Sequence, residues 1–95
     1  MIHHHEQEMS ISHQEFHRQL PAALRDINYK IANDQINVFY ADGNIQITPG
    51  IEHERKIASL VLPILHVVFI FTDIKPEGIT QFLADFNRAY QRGGG

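Results

Sequence analysis

Two histidines, His13 and His17, lie four residues apart with the carboxylate of Glu15 between them. Residues at this spacing share one face of a helix, and paired imidazoles there are good ligands for zinc, nickel or copper. A zinc metalloprotease motif needs glutamate directly beside one of its histidines, whereas Glu15 stands midway, on the opposite side of the helix. The pair therefore predicts a two-histidine metal site, which the histidines at 3–5 could complete. The alternative is two exposed residues of a first helical turn.

A second pair with the same spacing is cationic. Arg88 and Arg92 lie four residues apart near the end of the last predicted helix, and together they could hold a phosphate or a carboxylate. The alternative is that the two cations only stabilise the C-terminal end of that helix. The sequence leaves an anion-binding site at Arg88 and Arg92 as a hypothesis.

Acid–base catalysis would have to draw on His53, Glu54 and His66. A histidine with a carboxylate can transfer protons, but mixed charges ahead of a strand more often form a solvated surface. No serine lies in a nucleophile elbow, and the glycines at 93–95 follow a helix instead of leading into one, as a phosphate-binding loop does. The sequence therefore favours a non-enzymatic protein without a cofactor.

Composition narrows the class of protein further. The 95 residues are 43% hydrophobic and 20% charged, which fits one soluble domain. The formal charge of −3 argues against nucleic-acid binding. The absence of cysteine excludes disulfides and cysteine-ligated zinc. No apolar run resembles a signal peptide or a membrane span, so we expect a cytoplasmic protein without a membrane partner.

The first predicted elements are a tail and a helix. Residues 1–10 are polar and lack periodicity, so we expect a flexible tail. Ser12 and Glu15 have the spacing of a capping box, in which each side chain bonds the other's backbone amide, and a helix should begin there. Pro21 should either kink this helix or begin a second short turn.

Three strands with alternating apolar residues follow, separated by Asn33-Asp34 and Asp42-Gly43. Both pairs suit two-residue hairpin turns. A turn at 42–43 sets Val38 opposite Ile47, and a turn at 33–34 sets Tyr29 opposite Val38. This register gathers eight apolar side chains on one face: Ile27, Tyr29, Ile31, Ile36, Val38, Tyr40, Ile45 and Ile47.

The second half should contain two more strands and a helix. Pro49-Gly50 is expected to end the meander, and Ile57–Leu62 to form one strand. Pro63 should break or bulge the sheet, and 64–71 should form a strand apolar on both sides. An amphipathic helix should start near Pro76 and stop before the glycines. We therefore predict an α+β two-layer sandwich: an antiparallel, four- to five-stranded meander sheet with an N-terminal and a C-terminal helix packed on one face. The predicted divisions are a tail at 1–10, one domain at 11–92 and a glycine tail at 93–95.

The other face of the sheet is the predicted functional surface. Phe39, His66, Val68 and Ile70 fall on that face, and they would form one apolar patch if their strands were close. Such patches usually mark interfaces, so we expect an interaction module that forms a homodimer or binds another protein. In the alternative, the first helix covers this patch within one chain.

Overall fold

The computed structural model describes the backbone of residues 1–93 and the side chains through Gln91. It has seven elements: β1 (Ile2–Met9), α1 (His13–Ala23), β2 (Asn28–Ala32), β3 (Gln35–Tyr40), β4 (Gly43–Ile57), β5 (Leu60–Thr72) and α2 (Pro76–Gly93). The strands form one antiparallel sheet in the order β1-β5-β4-β3-β2. The predicted α+β class is confirmed. The helix extends one residue into the predicted glycine tail, and residues 94–95 lie outside the described part.

Helix α1 begins where its cap predicts. The Ser12 Oγ accepts a hydrogen bond from the backbone N–H of Glu15 at 3.0 Å. The return half of the predicted capping box is absent, because the Glu15 carboxylate binds the side chains of Arg18 and Gln19 instead. The helix runs through Pro21 to Ala23, which excludes the second of the two alternatives, a new turn that begins at Pro21.

The first hairpin turn has the predicted position. Asn33 and Asp34 both have positive φ, 52° and 63°, as a type I′ turn requires. Tyr29 faces Val38, as predicted.

The second turn lies one residue earlier than predicted. It is formed by Ala41 and Asp42, with φ of 49° and 63°, so Val38 faces Ile45 and not Ile47. The partner changes by two residues, which leaves the side-chain faces unchanged. Four of the eight predicted side chains are fully buried, whereas Ile31 on the edge strand β2 is exposed.

The position of Gly43 explains this shift. A Cβ at this residue would lie 2.6 Å from the Ile74 side chain and 2.7 Å from the Asp73 carbonyl oxygen, with Thr72 closer still. Gly43 has no positive φ. The glycine is needed because the chain after β5 crosses close to the start of β4, and the left-handed turn positions move to Ala41 and Asp42.

The prediction of a flexible tail at 1–10 is wrong for Ile2–Met9. This segment is the β1 edge strand, paired with β5 from Ile2↔Thr72 to Met9↔Leu65. The His3 and His5 rings lie 6.1 and 5.6 Å from the rings of Phe71 and Phe69. A polar strand suits this edge because one of its faces meets solvent.

Two prolines expected to interrupt the sheet lie inside strands. β4 passes Pro49-Gly50 with a bulge between Pro49 and Glu52 and continues to Ile57. β5 passes through Pro63 without a break. β1 reaches only as far as Leu65, so the outer edge of β5 at Pro63 has no neighbouring strand that needs its missing donor.

Residues 51–64 form a two-stranded hairpin that continues beyond the other strands, and we call it the arm. β3 accompanies β4 only as far as Ile47, and β1 accompanies β5 only as far as Leu65. The arm turns at Ala58-Ser59, where Ala58 has a φ of 56°. The molecule extends 46 Å along its longest axis and 27 Å along the next.

Both helices pack on the same face of the sheet. The Phe16 ring of α1 lies parallel to the Tyr90 ring of α2 at 5.2 Å, and the Phe86 ring of α2 meets the Phe69 ring of β5 edge-on at 5.4 Å. These aromatic contacts join the two helices to the centre of the sheet. The alternative in which α1 covers the opposite face is therefore excluded.

Candidate interaction surface

The face of β5 that the helices leave uncovered carries a line of apolar side chains. Leu65, Val67, Phe69 and Phe71 are buried beneath the helices, so the alternating residues project to the other side. We call these residues the β5 stripe: Leu60, Leu62, Ile64, His66, Val68 and Ile70. Five of these six residues are apolar, and one of the five, Ile64, is already buried within the chain at 5% exposure. The predicted interface residues His66, Val68 and Ile70 belong to the stripe.

The fourth predicted interface residue, Phe39, stands apart from the stripe. Phe39 is 51% exposed on the same face, but β4 lies between β3 and β5. Asn44 is opposite both Phe39 and Thr72, and Gln46 is opposite Ile70. The polar residues of β4 therefore separate Phe39 from Val68 and Ile70, and the predicted single patch does not form.

His66 belongs to a polar cluster that β1 brings to the border of the stripe. Its Nε2 lies 2.6 Å from Oε1 of Glu6, whose Oε2 lies 3.1 Å from Nε2 of His4. The hydrogen bond with His66 is the main reason that the pKa of Glu6 lies below its ordinary value. This partner was missed because β1 carries no apolar periodicity.

The arm exposes the largest apolar side chains of this region. Ile51 is 80% exposed and Leu60 is 61% exposed, while Ile57 and Val61 are each about half exposed. A lone two-stranded hairpin is only marginally stable in water. An arm with this exposure indicates a contact surface. Residues 52–56 are all polar and show no apolar alternation, so local periodicity does not indicate that β4 continues beyond Pro49-Gly50.

The predicted metal ligands His13 and His17 lie side by side on α1. Their ring centroids are 4.7 Å apart, and burial, with a smaller effect of His13, lowers the pKa of His17. Within residues 1–93, no group of three or more metal-ligating side chains is present. His3, His4 and His5 are held in β1, so the structure presents a two-histidine pair without the third ligand that we expected the tail to supply.

The other predicted sites are not assembled in the described part of the chain. Nη1 of Arg88 lies 3.3 Å from Oδ1 of Asp85, and the side chain of Arg92 lies outside the described residues. His53 and Glu54 are exposed neighbours in β4, so strand alternation points them to opposite sides of the arm. The combination of His53, Glu54 and His66 therefore forms no common acid–base site.

One open groove of about 900 Å³ lies between the end of β1, α1 and α2. Its wall includes the hydrogen-bonded amides of Gln7 and Asn87, and the buried Gln19. Its carboxylates, Glu8 and Glu15, are each paired with an arginine. Its remaining polar groups are therefore mainly amides and hydroxyls, and they lie beside the apolar side chains of Met9, Ile11 and Pro63.

No protein-family model, curated protein or solved structure matches the chain. Among the described residues, neither helix combines the length and apolar character required to cross a membrane.

Proposed function

We propose that the protein is a non-enzymatic protein-interaction module that self-associates by burying the β5 stripe against the same stripe of a second copy. The supporting observation is that four apolar stripe residues keep exposed surface on a sheet face that neither helix covers: Leu60, Leu62, Val68 and Ile70. The apolar face of a sheet is normally buried by a second layer, and a two-fold dimer supplies that layer with the same surface.

The surroundings of the stripe suit the edge of such an interface. The His4, Glu6 and His66 cluster lies on one side, and the polar residues Asn44 and Gln46 of β4 lie on the other. Interfaces commonly combine an apolar centre with a polar rim. Phe39 then lies at the periphery of the contact. We place this module in the cytoplasm, because a chain without cysteine suits a reducing compartment.

Sedimentation equilibrium over a wide concentration range tests the proposal. Val68→Asp places a charge in the stripe and should weaken the dimer at least tenfold, since an unpaired charge would be buried. Asn28→Asp is the matched control, because it adds the same charge to an exposed position on the same face, on β2. A monomeric wild-type protein, or equal association of the Val68→Asp variant, would refute self-association through the stripe.

A metal- or ligand-binding role is the second candidate, and the adjacent rings of His13 and His17 favour it. Zinc titration of the full chain should lose its strongest site in His13→Ala and His17→Ala if this pair binds zinc. The control replaces His3, His4 and His5 together with alanine. Loss of zinc binding only in the control would assign binding to β1 and reject the α1 pair.

A further inference from the structure

The outer edge of β4 in the arm has no neighbouring strand. From Glu52, where the bulge after Pro49 ends, to Ile57, no strand within residues 1–93 pairs with β4 on the side of β3. β5 has a similar free edge from Leu60 to Ile64, but Pro63 lacks a backbone donor there. The arm therefore offers one continuous strand edge whose backbone groups can pair with another chain.

The side chains along this edge are ordered in a self-complementary way. Ile51 and Ile57, which are 80% and 52% exposed, flank the run from Glu52 to Lys56. Charges on a free edge often prevent association. Here acidic residues dominate the first half of the run and basic residues the second, so an antiparallel copy of the run meets opposite charges.

Symmetry limits the registers in which two copies can pair. Residues that lie opposite each other in an antiparallel pair have their side chains on the same face of the sheet. A two-fold axis between two copies of one strand must therefore lie between the two copies of a single residue, and that residue defines the register. With the axis at Glu54, Ile51 meets Ile57 twice and Glu52 meets Lys56 twice.

The neighbouring registers are less favourable. An axis at His53 sets Glu52 against Glu54 twice. An axis at Arg55 matches the charge count of the Glu54 register, with Glu54 opposite Lys56 twice and one like-charged pair, but it sets Ile57 against His53 and loses the contact with Ile51. The Glu54 register has one like-charged pair, Glu54 with its copy. The Lys56 side chain of each copy lies diagonally across from Glu54 of the other copy, close enough to offset this repulsion.

We infer that residues 51–57 of β4 pair edge to edge, antiparallel, with the same residues of a second copy, in the register centred on Glu54. The bulge between Pro49 and Glu52 ends the regular edge of β4, so pairing with the second copy stops there. The exposed Ile57 at each tip then packs against Ile51 of the other copy. This contact uses a strand edge, whereas the proposed function uses the β5 stripe, and neither requires the other.

Charge exchange in the Val68→Asp background tests the inference, because that background removes the stripe contact. Lys56→Glu and Glu52→Lys should each weaken association at least tenfold, since each creates two like-charged pairs. The double variant Glu52→Lys/Lys56→Glu restores two opposite pairs and should recover the dissociation constant to within about threefold. Lys75→Glu, outside the arm, is the control and should leave association unchanged.

Sedimentation equilibrium and amide hydrogen exchange provide the readouts. Protection of amides 51–57 should rise with protein concentration, while amides 60–64 should not change. Two results would overturn edge pairing: a Val68→Asp protein that is monomeric, or a double variant that associates as weakly as the single variants. The charges of residues 52–56 would then serve to prevent association of this edge. Association that is insensitive to Val68→Asp but sensitive to Lys56→Glu would retain edge pairing and reject the stripe.

Because Glu52 also accepts a hydrogen bond from the His13 backbone N–H at 2.7 Å, circular dichroism should verify folding of the Glu52 variants. The Lys56→Glu variant and hydrogen exchange decide the question if those variants do not fold.

Discussion

At the scale of single residues, the Tyr90 hydroxyl connects the two helices. It is buried and donates a hydrogen bond to the Phe16 backbone oxygen at 2.7 Å, and burial raises the pKa of the phenol. Tyr90→Phe keeps the ring stacked on Phe16 and removes only this bond, so the free energy of unfolding should fall by about 1 kcal/mol. Urea denaturation measures the change. Tyr40→Phe is the control, because within residues 1–93 the Tyr40 hydroxyl has no hydrogen bond, and equal losses in both variants would contradict the assignment.

Glu15 is the residue through which pH should act on α1. Its hydrogen bonds, first with Arg18 and then with Gln19, lower its pKa to about 2 from an ordinary 4.5. Because the folded pKa lies below the unfolded value, the carboxylate stabilises the fold above pH 4.5 and loses this effect as pH falls towards 2. Unfolding of Glu15→Gln should therefore differ from wild type most above pH 5, and the difference should shrink below pH 4.5. A pH-independent difference would contradict this role. The effect should be small, because the side chain is partly exposed.

At the scale of elements, the crossing of the β5–α2 loop over β4 depends on Gly43. Gly43→Ala places a Cβ 2.7 Å from the Asp73 carbonyl oxygen, and backbone atoms must move, at a cost of about 2–3 kcal/mol. Gly78→Ala is the control. Its Cβ would lie 3.0 Å from Cγ2 of Ile74, a contact with one side-chain methyl group and no backbone atom, and alanine favours the helix by about 1 kcal/mol. Thermal unfolding that ranks Gly78→Ala as the more damaging change would show that Gly43 is not the tight position.

The hairpin between β3 and β4 carries a correctable strain. Ala41 has a φ of 49°, a left-handed conformation that asparagine adopts at lower cost than alanine. Ala41→Asn should therefore stabilise the fold by about 0.5 kcal/mol, measured by urea denaturation. Asn33→Ala makes the reverse change at the first turn and should destabilise the fold by a similar amount. A destabilised Ala41→Asn variant would place the strain elsewhere.

At the scale of the whole molecule, β1 completes the sheet on the β5 edge. Deleting residues 1–9 would remove eight paired residues and uncover part of Phe69 and Phe71. We expect a loss of at least about 2 kcal/mol in the free energy of unfolding, because the buried apolar area falls and β5 gains a free edge. Chemical denaturation with light scattering measures the loss and any aggregation. An unchanged midpoint would restore the interpretation of this segment as a flexible tail.

Local signals predicted the elements that depend on local chemistry. Ser12 located the start of α1, and alternation placed Val38 and Ile47 on the buried face, because hydrogen-bond capping and strand pleating act within a few residues. The same signals misjudged Pro49 and Pro63. A proline disrupts a strand only where a neighbouring strand needs its missing donor, and strand order is not visible in a local window.

Local sequence signals predicted one part of the candidate surface, and strand order decided the other. The sequence identified Val68 and Ile70 as apolar residues on the face opposite the buried one, but it joined them to Phe39, which the structure separates from them by the polar residues of β4. The sequence did not predict the free strand edges of the arm, because they exist only where β3 no longer pairs with β4 and β1 no longer pairs with β5.

The sequence by itself determined the helix cap, the two-sided strand β5 and the sorting of side chains between two faces, since each follows from chemistry within a few residues. Only the tertiary structure decided that residues 2–9 form a strand and that residues 51–64 project as an arm. It also decided that the β3–β4 turn lies at Ala41-Asp42, one residue before the position expected from the sequence. Each of these depends on contacts between residues far apart in the chain, and such contacts leave no mark on local periodicity.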